Sequence, residues 1–310
     1  MARAIACANQ KGGVGKTTTV VNIATHLALA GDRVLVIDLD PQGNATSGFG
    51  LAGDQATGST YEAMTDGLPL ADLAIKTLID GLWLVPSSVA LAGAEVELAG
   101  MEQRERRLKR LLEPIRDEYD VILIDCPPSL GLLTVNALTA ADAVLVPIQA
   151  EYYALEGVSQ LIGTIHLVQE HLNPELVIDG AVLTMSDGRT NLAADVEAEV
   201  RRHLGSAVFE TVIPRNVRLS EAPSHGLPIE RYAPGSKGAD AYRRLGDELR
   251  ARLVRAGAVR PTRPDHPTAH GLADSPNAWT SANGSASANG SAANGEAANE
   301  PVARLVAVDR

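Results

Sequence analysis

The chain has 310 residues, of which 45% are hydrophobic but only 3% aromatic, and a formal net charge of −11. It can therefore bury a large aliphatic core, as parallel strands covered by helices require, and it is excluded as a uniformly basic nucleic-acid binder. The charge is uneven: residues 1–179 carry 11 basic and 23 acidic groups, residues 180–256 carry 12 and 10, so any polyanion contact is expected in the later part.

The first apolar run, Ala4 to Ala8, reads as a buried strand, and Val20 to Leu29 reads as a helix. Between them lies Asn9-Gln10-Lys11-Gly12-Gly13-Val14-Gly15-Lys16-Thr17-Thr18. Strand, glycine-rich turn and helix form the context of a phosphate-binding loop, in which backbone N–H groups approach phosphate oxygens and the helix N-terminus adds its positive end. Lys16 is expected to reach the β- and γ-phosphates and Thr17 to ligate Mg²⁺. The pattern G-x-x-x-x-G-K-[ST] is incomplete, because Gln10 stands where the first glycine belongs and a second lysine, Lys11, enters the loop.

Arg33 to Asp38 reads as the second strand, ending in the carboxylate-rich stretch Asp38-Leu39-Asp40-Pro41-Gln42-Gly43-Asn44. Ligands sit beyond the carboxyl ends of parallel strands, so these aspartates are placed to hold the Mg²⁺ shell or orient a water. Leu82 to Pro86 reads as a strand, Val89 to Met101 as an apolar helix and residues 102–118 as a charged helix. Val121 to Ile124 leads into Asp125 and Pro127-Pro128, the second acidic element of a nucleoside triphosphatase, with Asp125 accepting from an Mg²⁺-bound water.

Strands are expected at Ala143 to Pro147, Leu176 to Thr184 and Thr211 to Pro214, and helices at Ala154 to Glu170, Asn191 to Leu204 and Ala239 to Val254. In the last helix Tyr242, Leu245, Leu249 and Leu253 share a face. The alternation predicts a doubly wound, mainly parallel α/β sheet flanked by helices over residues 1–256. Residues 257–310 are rich in Pro, Ala, Asn, Gly and Ser and are expected to be a disordered tail. Cys7 and Cys126 sit in apolar runs without metal-ligand spacing and read as small core residues. With no leader-like start and no apolar run of about 18 residues, the expectation is a soluble cytoplasmic protein.

The phosphate loop, Asp38 to Gly48, Ile124 to Ser129, Glu151 to Gly157 and Val212 to Ser224 together resemble the chromosomal ParA (Soj) family of the deviant Walker A, or ParA/MinD, class. The resemblance runs from about residue 2 to 254. It implies a P-loop ATPase that binds Mg-ATP, forms a nucleotide-sandwich homodimer in which Lys11 crosses to the partner's phosphates, and binds double-stranded DNA without sequence preference at the nucleoid. A ParB-type centromere-binding partner would stimulate hydrolysis. It further implies that Asp40 positions the hydrolytic water and that Pro214, Arg215 and Asn216 lie near the adenine. By the same resemblance Arg189 and Arg218 contact DNA. The alternative is a MinD-like ATPase that cycles on membrane, but that class ends in a basic amphipathic helix and this chain ends in a polar Asn/Gly/Ser-rich stretch. A redox ATPase of the nitrogenase iron-protein type would need cluster cysteines that two strand cysteines do not supply.

Overall fold

The computed structural model describes residues 2–51, 57–151, 154–187 and 191–259 of the chain. All of these fall in one compact unit, Met1–Ala269; a second, His270–Arg310, lies wholly outside them. The expected tail therefore lies outside the described residues from 260 onward. Its first residues belong to the folded unit: Val259 is buried, and Gly257 and Ala258 donate to the carbonyls of Val254 and Leu253.

The strands are β1 (Arg3–Cys7), β2 (Val34–Asp38), β3 (Ile75–Lys76), β4 (Leu82–Val85), β5 (Val121–Asp125), β6 (Ala143–Gln149) and β7 (Val177–Thr184). They form one sheet in the order β3-β4-β2-β5-β1-β6-β7, parallel throughout except for the β3–β4 pair. Helices between and after them are α1 (Lys16–Leu29), α2 (Asn44–Gly48), α3 (Thr60–Asp66), α4 (Leu70–Leu73), α5 (Leu91–Leu98), α6 (Arg107–Leu112) and α7 (Leu132–Ala140). They continue with α8 (Ala154–His171), α9 (Asn191–Leu204), α10 (Val217–Glu221), α11 (Ile229–Tyr232) and α12 (Lys237–Arg255).

Strand residues alternate between two cores. Ala4, Ala6, Leu35, Ile37, Ile122 and Ile124 enter one with α3, α5, α7 and α8. Ile5, Cys7, Val34, Val36, Val121 and Leu123 enter the other with α1 and α12. Each fully buried Leu, Ile or Val contributes about 1.5–3 kcal/mol, so burial on both faces explains why the strands read as continuous apolar runs. Cys7 and Cys126 are free and buried in opposite cores, and burial pushes both thiols up.

Three expectations change. α1 starts at Lys16 rather than Val20, because Gly15, at φ 89°, turns the chain straight into the helix. The charged helix at 102–118 is broken into 3₁₀ turns at Arg104–Arg106 and Glu113–Glu118 around α6. Left-handed Gln103 and Pro114 interrupt it. Thr211 to Pro214 is no strand. It runs beside β7 with isolated bridges, Ala181 to Val208 and Ser186 to Pro214, because Glu248 accepts the N–H groups of Glu210 and Thr211 and Pro214 has none to give.

Candidate nucleotide site

The loop from Ala8 to Gly15 leaves β1 at the centre of the sheet, where β2, β5, β6 and β7 also present their carboxyl ends. Left-handed backbone at Gly13 (φ 74°) and Gly15 (φ 89°) makes the turn, and Gly15 caps α1 without a side-chain acceptor. The first N–H groups of α1 are thus left to a ligand. Asn9 ties the loop to β6: its amide donates to the Pro147 carbonyl (2.7 Å) and its oxygen accepts from the Lys11 N–H (3.0 Å). From the other side the Thr184 hydroxyl donates to the Val14 carbonyl at 2.8 Å. Lys16 is 6% exposed, and its Nζ donates back to the Lys11 carbonyl at 3.3 Å.

Asp38 ends β2 and accepts from the N–H and hydroxyl of Thr46 at 2.8 and 2.7 Å and from the Asp40 N–H at 3.2 Å. Burial nonetheless raises its pKa to about 6. Asp40 is 6% exposed and accepts from the Gln42 N–H. Asp125 ends β5 beside them in full burial, and neither carboxylate oxygen has a partner in hydrogen-bond geometry. Burial, then the Asp38 charge, holds its carboxyl well above the usual range; the nearby Thr17 hydroxyl opposes this only in part. The two orphaned Asp125 oxygens, near Thr17 and Lys16, suit the water-mediated shell of a hard divalent cation; among the described residues no three carboxylate, histidine or cysteine side chains converge to ligate one directly.

A cleft lined by Gly13, Lys16, Thr17, Asp40 and Pro128 adjoins another lined by Pro214, Arg215, Asn216 and Tyr242; Gly15, Thr18, Met185, Leu219 and Pro223 line both. The fold thus brings together the loop from Lys11 to Thr18, Asp40, Asp125 and the segment 214–216. Gly12 is exposed, with Pro128 against it. Arg218 is apart from them on α10, exposed and paired with Glu221 at 2.8 Å. Arg189 lies outside the described residues.

Three residues here carry no sequence-level assignment. Asn9 pins the loop, and Met185, at φ 52°, walls both clefts. Glu151, just past β6, holds the Lys11 ammonium at 3.0 Å and faces Arg215 at 3.9 Å. The rule that strand carboxyl ends face the ligand, applied to β6 as it is to β2 and β5, would have singled out Glu151.

A glycine loop between a central strand and a helix, with aspartates ending the next two strands on one side of it, β5 and β2, defines a P-loop nucleoside-triphosphatase fold. The AAA domain family model matches residues 2–178. The sporulation initiation inhibitor protein Soj of Bacillus subtilis (strain 168) is 54% identical over 251 residues, 81% of this chain and 99% of that protein. The chromosome-partitioning ATPase Soj of Thermus thermophilus is 54% identical over 255 residues, 82% of this chain and 98% of that one. Among solved structures, cobyrinic acid a,c-diamide synthase of Mycobacterium smegmatis with a bound ATP analogue and magnesium is 40% identical, with a TM-score of 0.72 over 85% of this chain and 100% of that one. The chain belongs to the Soj/ParA family of chromosome-partitioning ATPases.

Proposed function

We propose that the chain is an ATP hydrolase that works as a Mg-ATP-dependent dimerisation switch in DNA segregation. The observation that carries the reading is one site holding two loop lysines, Lys16 turned onto the loop and Lys11 held by Glu151, together with the orphaned Asp125 carboxylate and buried Asp40. Lys16 holds the β- and γ-phosphates with the N–H groups of the loop, and Pro214, Arg215 and Asn216 border the adenine. Thr17, with Asp40 and Asp125 through water, would hold Mg²⁺, which when bound neutralises charge developing on the phosphates. Asp40 orients the attacking water.

Lys11 has no further task in its own site, since Lys16 already serves the phosphates. It leaves Glu151 and reaches the nucleotide of a second protomer, so that two protomers close over two nucleotides. The dimer binds double-stranded DNA through Arg218 and Arg189, and a ParB-type partner stimulates hydrolysis and release. Residues 1–256 form the ATPase domain, on which 257–259 still pack, and the chain beyond them is an appended tail, in a protein working in the cytoplasm on the nucleoid. A membrane-cycling role is disfavoured because α12 spends its apolar face, Tyr242, Leu245, Leu249 and Leu253, on the core. Among the described residues no helix is long and apolar enough to cross a membrane.

Sedimentation of the full chain with Mg-ATP, followed by co-sedimentation with DNA or with liposomes, tests the switch. Asp40→Ala should retain ATP and accumulate a DNA-bound dimer. Lys11→Ala should bind ATP yet stay monomeric. A monomeric Asp40→Ala protein, or a normally dimerising Lys11→Ala protein, would remove the assignment.

A further inference from the structure

The turn that carries Asp40 is held from behind by Asp38. Both Asp38 oxygens are taken by the segment that follows it. Oδ1 accepts the Asp40 N–H (3.2 Å), and Oδ2 accepts the N–H and the hydroxyl of Thr46 (2.8 and 2.7 Å). Inside this ring the chain reverses tightly, the Gly43 N–H donating to the Asp40 carbonyl (2.9 Å) and the Gln42 N–H to the Asp40 carboxylate (3.0 Å). The next element, α2, has five residues and is too short to hold a position by itself. Its place is set by the bonds to Asp38.

Thr46 is where the ring is anchored. Its hydroxyl donates to Asp38 and accepts from the Ser87 N–H (3.0 Å) just past β4, so it ties the Asp40 turn to the ends of two strands at once. The Thr60 hydroxyl adds a bond to the Asp38 carbonyl at 2.9 Å. Thr46, Thr60 and Ser87 are all buried, where such bonds are stronger than in water and costly to leave unmade. On the other flank α2 lies close against α1: a Cβ on Gly48 would stand 3.2 Å from a Val21 methyl. The turn is therefore fixed from both sides.

We infer that Thr46 is a positioning residue for hydrolysis: through Asp38, its hydroxyl aims the Asp40 carboxylate at the attacking water. The inference rests on the reading of Asp40 as the group that orients that water, and extends it to the residue that sets the orientation. A reacting geometry is intolerant of small shifts, and a misplacement of about 1 Å can cost about a hundredfold in rate. Among the described residues the ring makes no hydrogen bond to the phosphate loop, so nucleotide affinity does not depend on it. A threonine that only filled the core would instead change stability and binding together.

The test is single-turnover hydrolysis of Mg-ATP by the full chain, set beside its affinity for a non-hydrolysable ATP analogue. Thr46→Val keeps the shape and loses the hydroxyl; it should slow hydrolysis about tenfold or more and change analogue affinity by less than about twofold. Thr46→Ser, which keeps the hydroxyl, should restore most of the rate. Added to Asp40→Ala, Thr46→Val should slow hydrolysis no further, because it acts through a carboxylate already removed. Should Thr46→Val fail to fold, Asp38→Asn decides: its amide offers one oxygen and one N–H where two acceptors are needed, and it should show the same split. Hydrolysis at the wild-type rate in these variants, or slowed only in step with lost affinity, would overturn the role of Thr46 and leave that of Asp40 standing. A wild-type rate in Asp40→Ala itself would overturn both.

Discussion

Asp125 is the residue at which folding and function pull in opposite directions. A carboxylate buried without a partner costs about 1–3 kcal/mol or more, and the fold accepts that cost at the end of β5. Its neighbour Asp38 has three hydrogen bonds, two of them from Thr46, and is correspondingly less perturbed. Asp125→Asn replaces the ionisable group with a neutral one of the same shape, removing the cost of keeping a carboxyl in the interior. The nucleotide-free variant should therefore be more stable than wild type by about 1 kcal/mol, raising Tm by about 2–4 °C. The same variant should lose the extra stabilisation that Mg²⁺ adds to ATP binding, along with hydrolysis. A lower Tm in the nucleotide-free variant would mean that Asp125 has a structural partner. Lys16→Ala should behave differently, losing tight nucleotide binding itself; equilibrium binding of a fluorescent ATP analogue separates the two.

Among the elements, contact between α2 and the turn after α10 links the two halves of the site. Gly50 (φ 72°) follows α2, the helix whose Thr46 holds Asp38; Gly226 (φ 63°) ends the 3₁₀ turn Ala222–His225. A Cβ on Gly226 would stand 2.6 Å from the Gly50 Cα, so the two backbones meet where no side chain fits. Gly226→Ala should cost about 2 kcal/mol or more, from left-handed backbone and the clash together. It should also weaken nucleotide binding by displacing Leu219 and Pro223, which border both clefts. Denaturant unfolding and ATP-analogue titration measure the two effects; a variant as stable as wild type would show that the contact is slack. This contact joins segments 176 residues apart, and nothing local announces it. The elements that were legible are those whose signal is local: β1, β2, β5 and β6 as apolar runs, and the glycines of the phosphate loop. Thr211 to Pro214 has strand-like composition, but a distant carboxylate, Glu248, takes the N–H groups of Thr211 and of Glu210 before it, and composition does not carry that information. For the same reason Lys11 was legible as a surplus lysine, whereas its pairing with Glu151, 140 positions away, was not.

For the whole molecule the difficulty is that the proposed function takes a chain of charge −11 to DNA. On the proposed function, binding comes from a local basic patch that dimerisation doubles, turning a weak contact into a useful one through avidity. On the last helix Arg243 and Arg250 are held within the fold, paired with Glu230 and with buried Asp32. Arg218 is exposed on α10, close to the base cleft through Asn216, whose side chain caps the helix by accepting the Arg218 N–H. Its guanidinium is paired with Glu221, which also accepts from the Tyr232 hydroxyl. A phosphate must therefore compete with Glu221 for Arg218. Arg218→Ala should weaken binding to unrelated duplexes alike and lower the slope of log affinity against log salt by about 2, one phosphate contact from each protomer. Glu221→Ala should act in the opposite direction, strengthening binding at low salt and steepening the same slope. Both variants should still dimerise with Mg-ATP, because neither residue touches the phosphate loop. Filter binding of the ATP-loaded protein at several salt concentrations gives the slopes. If neither substitution moves them, Arg218 is an ordinary surface ion pair and the DNA surface lies elsewhere, with Arg189 the next residue to replace.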